Sequence, residues 1–170
     1  MWQCKLLPGI SIEYYQDTNV KYFSVDRSYM EYKKLDSSIH FRLDRDEEII
    51  SSIIKICQQE HITAGSIQGL GATKEVTLRY MNQEEKSFAE RAFTEGMEIT
   101  SFLGNISRHE GEPYLHCHIT LARHDFTTVA GHCHEAVVGP TFEGIIRFDK
   151  LTLNRKFNPE IGLNLMVFAN

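Results

Sequence analysis

Cysteine is scarce in this sequence. The 170-residue chain has four, Cys4, Cys57, Cys117 and Cys133, with no C-x-x-C pair among them. They fall mostly inside hydrophobic patterns, which argues against a disulfide framework and suits reduced thiols. Long apolar runs are missing too. No window approaches the ~18 consecutive apolar residues of a membrane span, and Met1-Trp2-Gln3-Cys4-Lys5 has neither the basic start nor the apolar stretch of a signal peptide. A cytoplasmic chain without membrane contact is expected. Basic excess is absent: 18 Lys and Arg stand against 23 Asp and Glu, a net charge of −5. Nucleic-acid modules draw most of their non-specific affinity from Lys and Arg neutralising phosphates. The best local candidate for DNA contact, Arg147 to Lys156, sets Arg147, Lys150, Arg155 and Lys156 against Asp149. A group that small is usually a solvated edge. Repeats, low-complexity tracts and Pro/Gly/Ser linkers are lacking as well, so a single layer architecture has to account for nearly the whole chain.

What is present is an ordinary globular composition, 42% hydrophobic with 11 Gly, enough to bury the core of one domain. The first 36 residues read as an N-terminal appendage, with short strands at Tyr22 to Val25 and Tyr29 to Tyr32. From Ser37 the pattern sharpens. Ile39, Phe41 and Leu43 alternate with His40 and Arg42, a strand with one apolar face. Asp44 and Glu47 then have the spacing of a capping box and predict a helix start. Ile49, Ile50, Ile53, Ile54 and Cys57 recur at helical spacing down to about Glu60. After His61 strand follows strand, with turns expected at Gly69-Leu70-Gly71, Asn82-Gln83, Gly96, Glu110-Gly111, Asp125 and Gly139-Pro140. One covering helix with about seven strands makes an α+β fold. Long strands with few covers leave faces and edges that oligomerisation would bury.

The chemistry concentrates in His116-Cys117-His118 and His132-Cys133-His134. On a strand, residues i and i+2 share a face, so both imidazoles of an H-x-H lean toward one ion while the cysteine between them points the other way. A three-histidine set, His116, His118 and one of the later pair, leaves a fourth position for water or substrate on zinc. Nickel, copper or iron suits the same ligands. Cys117 and Cys133, facing away, read as inert buried thiols rather than nucleophiles. The glycines of Gly65 to Ala72 precede no Lys-Ser/Thr pair and do not make a phosphate loop. Glu98 and Asn105 flank the apolar run Ile99 to Leu103, as polar groups of a surface, a subunit contact or a metal site; Glu143 is a further candidate base.

Several segments together resemble the plant and prokaryote conserved, or PPC, domain. They are Gly65 to Ala72 (GSIQGLGA), Gly96-Met97-Glu98-Ile99, Leu103-Gly104-Asn105-Ile106-Ser107, Gly111 to His118 (GEPYLHCH), Gly131-His132 and Gly162 to Leu165. Their order and spacing match over 37–168. The resemblance implies a compact α/β domain that assembles as a homotrimer. Prokaryotic members are commonly described as stand-alone, presumptive DNA-binding proteins, whereas plant relatives carry a preceding AT-hook that this chain lacks. It also implies a metal held by His116, His118 and His132, zinc first among the options, with His134 outside the usual motif. Gly96, Glu98, Ile99 and Asn105 become candidates for partner or subunit contacts, although the family's glycine commonly sits one place earlier, where this chain has Glu95. Two functions follow as expectations. One is a trimeric DNA-associated or regulatory module with a histidine metal site. The other is a zinc-dependent, hydrolase-type enzyme acting on a small molecule at the three histidines.

Overall fold

The computed structural model describes residues 20–25 and 28–168; the rest of the expected N-terminal appendage lies outside the described residues. Ten strands and one α-helix occur among them, where about seven strands were expected. The described part begins with an antiparallel meander of β1 (Val20–Val25), β2 (Ser28–Lys34) and β3 (Ser38–Asp44). β2 is thus a strand of the same sheet as β3. Helix α1 (Ile49–Gln59) follows, then β4 (Gly65–Asn82), β5 (Ser87–Phe93), β6 (Met97–His109), β7 (Glu112–Ala122), β8 (Thr128–Phe148), β9 (Asn154–Asn158) and β10 (Leu163–Val167).

The sheet order is β1-β2-β3-β8-β4-β6-β9-β10, with β5 on β4 and β7 bridging β6 and β8. Because β4 also pairs with both β6 and β8, these four strands close into a ring. Side chains alternate across it. Ile39, Phe41 and Leu43 of β3, Cys117, Ile119 and Leu121 of β7, and Ala136, Val138, Phe142 and Ile146 of β8 all enter one core with Phe102 and Ile106. On α1, burial falls on Ile49, Ser52, Ile53, Ile56 and Cys57, while Ile50 and Ile54 are only partly covered.

Two local expectations change. The helix cap is Glu48 rather than Asp44: Asp44 is still paired with Thr141 in the β3–β8 ladder, so its backbone cannot begin the helix. The Glu48 carboxylate accepts from the N–H groups of Ile50 and Ser51 at 2.9 and 2.6 Å, and also from Ala136 at 3.2 Å, which ties the helix start to β8. The turns expected at Gly69-Leu70-Gly71 and Gly139-Pro140 are irregularities inside the long strands β4 and β8. The β4–β8 register slips between Gly71 and Thr73, opposite Phe142 and Val138. A slip bends a strand without ending it. At Gly71, with φ +150°, a Cβ would lie 2.2 Å from the Thr141 carbonyl oxygen, so only glycine fits that approach. The Asn82, Gly96, Glu110-Gly111 and Asp125 turns fall where expected.

Candidate metal centre

β7 supplies His116 and His118, and β8 supplies His132. Antiparallel pairing sets His118 directly opposite His132, with His116 two residues along on the same face. The three rings form a near-equilateral triangle with centroid separations of 5.3, 5.3 and 5.6 Å. One nitrogen from each lies within 4.8 Å of the others. His116 and His132 are half-buried and His118 is exposed, so the cluster opens outward.

Cys117 and Cys133 point the other way, 2% and 3% exposed, as strand alternation requires. The Cys117 thiol lies 3.8 Å from the Cys133 carbonyl oxygen. The neighbouring Cys117 and burial push the Cys133 thiol well above its ordinary pKa; burial alone pushes Cys57 up to about 12. Neither thiol is poised as a nucleophile.

Burial, then Arg155 and His118, holds the His116 imidazole below its usual pKa. Burial also pulls His132 down to about 4, helped by the charges of His116, His118, Arg79 and His134. Neutral imidazoles keep the lone pair a metal needs. A tetrahedral zinc with Zn–N bonds of about 2.0–2.1 Å places its nitrogens about 3.3–3.4 Å apart. Three imidazole nitrogens already within 4.8 Å therefore fit such an ion after a modest closing of side chains. The group is able to hold a metal.

His134 is not in the cluster. The β4–β8 register slips between Thr77 and Leu78, opposite Glu135 and Cys133, so His134 falls at the irregularity. It lines a cleft beside α1 with Glu48, Lys55 and Gln58.

Asn105 lies opposite His116 in the β6–β7 ladder, as Leu103 lies opposite His118. Its Oδ1 accepts from an Nη of Arg155 at 2.7 Å; the same guanidinium donates to Ser107 Oγ at 2.8 Å and the Asn164 carbonyl at 2.7 Å, and stacks 4.9 Å from the Tyr114 ring centre. Arg155 is only 9% exposed. The basic group, expected to be a solvated edge and the best local candidate for DNA contact, therefore loses one of its four cations to the interior.

The other candidates lie apart from the histidines. Gly96 and Glu98 are exposed, and Ile99 is buried in the domain's own core. Glu95 accepts from Arg123 at 2.9 Å. Glu143 lies opposite Arg42 and lines a concavity of about 800 Å3 with His40, Gln68, Leu70 and Leu103. Arg155 is buried although the sequence offers it as one of a surface basic group, and Arg79 and Phe88, which flank His132, carry no motif that singles them out. No local pattern signals the Arg155 contacts, because Ser107 and Asn105 are 48 and 50 residues away along the chain.

The model of the Plants and Prokaryotes Conserved (PCC) domain matches residues 30–148. A Bacteroides thetaiotaomicron protein described as a "putative DNA binding protein" superposes with a TM-score of 0.80 at 34% identity, covering 82% of this chain and 97% of its own. An Archaeoglobus fulgidus protein described as metal-containing follows the same fold with a TM-score of 0.73 at 25% identity, over 82% of this chain and 98% of its own. A PPC protein of Pyrococcus horikoshii, 24% identical, has a TM-score of 0.72 over 87% of this chain and 99% of its own. No curated protein matches the sequence. With a family match over residues 30–148 and a 34% identical structural relative, the chain belongs to the Plants and Prokaryotes Conserved domain family.

Proposed function

We propose that this protein is a metal-dependent member of its family, holding zinc through His116, His118 and His132 and acting on a small molecule at the open side of that centre. The observation that carries this reading is three nitrogens within 4.8 Å on one sheet face, with the cysteines between them turned inward. The metal-containing description of the Archaeoglobus relative supports it. Bound zinc would supply Lewis-acid chemistry, polarising an oxygen of the substrate. The chain's own part is to hold three imidazoles in place, with β7 and β8 registered by backbone hydrogen bonds.

We further place the working form as a homotrimer. The sheet face around the 800 Å3 concavity exposes Leu70 and Leu103, at 60% and 58%, with no helix over it among the described residues, and apolar exposure of this kind suits a subunit contact. Sedimentation should give three chains per particle, and a monomer at micromolar concentration would end that part of the reading.

DNA association is the second reading, favoured by the description of the Bacteroides relative. The burial of Arg155 and the net charge of −5 weigh against it. Binding to duplex DNA at low salt, where electrostatic affinity is greatest, would bring it forward.

Elemental analysis of tag-free protein tests the principal reading. About one zinc per chain is expected, lost in His116→Ala/His118→Ala with the fold retained; equal metal content in both proteins would refute the site.

A further inference from the structure

Arg155 carries a full charge into a nearly closed setting, and no carboxylate answers it among the described residues. Its three partners, Ser107 Oγ, Asn105 Oδ1 and the Asn164 carbonyl, are all neutral. Burying a guanidinium without a counter-ion is costly, and the usual compensation is an anion nearby. The histidine cluster has the same bias. Arg79 lies opposite His132 in the β4–β8 ladder, a second cation beside the triangle. Arg79 is itself paired with Glu90 at 2.7 Å, which leaves Arg155 as the uncompensated cation.

The Arg155 contact also fixes how Asn105 is turned. A guanidinium can only donate, so the atom facing it must be the amide oxygen. The two Nδ2 hydrogens are then left without an acceptor among the described residues, on the residue directly opposite His116. A donor with an unused N–H pair, oriented by a buried cation and adjacent to a histidine triangle, is a ready receptor for an oxyanion. Apolar surface flanks the same place. The Phe88 ring, 45% exposed, is 6.4 Å from that of His132.

We infer that the ligand of this centre is a carboxylate with a small apolar body, its carboxylate accepting from Asn105 Nδ2 in the field of Arg155 and its apolar part lying against Phe88. The inference rests on the metal-centre reading and adds the class of molecule that the centre takes. Arg155 is a positioning residue in this scheme: it orients the Asn105 amide and supplies charge without itself reaching the ligand.

Benzoate is the probe, with benzamide as its neutral counterpart. Titration calorimetry on the purified protein, with zinc content measured on the same sample, should show benzoate binding and little or no benzamide binding. Asn105→Asp and Asn105→Leu should each weaken benzoate by at least about tenfold, the size expected for one charge-assisted hydrogen bond. Both should stay folded with the wild-type zinc content, while Asn105→Leu, which takes an acceptor from the buried Arg155, should lower the urea midpoint. Zinc-loaded protein that ignores benzoate, or that binds it equally well in both variants, overturns the anion site and leaves the metal centre standing. Loss in Asn105→Asp alone overturns the donor role, since repulsion by the new carboxylate would account for it. Zinc-free protein that binds benzoate through Asn105 supports the anion site and removes the metal reading. Protein with neither zinc nor benzoate affinity removes both.

Discussion

Replacing Glu48 with alanine tests how the only helix among the described residues is fastened to the strand that carries His132. The side chain accepts three backbone N–H groups: Ile50 and Ser51 in the first turn of α1, and Ala136 of β8, a residue with 0% exposure. Losing an N-cap costs about 1–2 kcal/mol. Leaving the buried Ala136 N–H without its acceptor adds about 1–3 kcal/mol. Allowing for partial relaxation, Glu48→Ala should cost about 2–4 kcal/mol, or a fall in Tm of roughly 5–15 °C for a domain of this size. Glu48→Gln should lie between. Its one amide oxygen can replace Oε1, which serves both Ile50 and Ala136, but Ser51 then faces an NH2 group. Urea unfolding at one fixed protein concentration separates the three proteins and removes any contribution from association. The reasoning fails if Glu48→Ala lies within about 0.5 kcal/mol of wild type, the range of ordinary surface changes. It fails equally if glutamine proves as damaging as alanine.

Gly144→Ala places a Cβ 2.3 Å from the buried Phe41 ring and should cost about 1–3 kcal/mol in urea unfolding, whereas Gly96→Ala, whose Cβ would meet only the Thr73 carbonyl at 3.9 Å, should stay within about 0.5 kcal/mol. Zinc at about 100 times its Kd should stabilise the protein by about 2.7 kcal/mol, read as a rise in Tm of roughly 5–11 °C that is absent from His116→Ala/His118→Ala; an equal rise in that variant would mean binding elsewhere. His134→Ala should leave zinc content unchanged while His132→Ala abolishes it, as elemental analysis would show; loss of metal in the first would refute the placement of His134 outside the cluster.

Much of the fold was legible because periodicity survives into burial. Ile39, Phe41 and Leu43 are 0, 5 and 0% exposed, as a one-faced strand requires, and the helix ends at Glu60 where its apolar pattern stops. The errors share a cause. Asp44 has the composition of a helix cap, but its backbone belongs to a ladder with Thr141, a residue 97 positions later in the numbering and invisible to any local window. Gly69-Leu70-Gly71 and Gly139-Pro140 have the composition of turns, but the partners of β4 and β8 continue past them, so the chain bends and keeps pairing. Local chemistry sets what a residue favours; a ladder closed from both sides decides whether that preference ends a strand.

The candidate site divides along the same line. That each H-x-H presents its imidazoles on one face and its cysteine on the other follows from the period of a strand, and Cys117 and Cys133, both nearly fully buried, obey it. Which histidine of the second pair joins the first depends on register, which two-residue periodicity leaves open. Here His118 meets His132, and the ladder would next bring His116 toward His134. The slip between Thr77 and Leu78 on the other side of β8 prevents it, carrying His134 toward the cleft beside α1. The site therefore has three ligands because β8 pairs with β4 as well as with β7, and the strand cannot satisfy both neighbours with a regular backbone. Arg155 depends on a still longer connection, reaching from β9 across β6 to the amide opposite His116. The imidazole triangle comes from strand alternation and the β7–β8 register. Asn105 is a polar candidate in the sequence and Arg155 one cation of a basic group, but their meeting beside the triangle comes from a contact 50 residues apart that no local pattern shows.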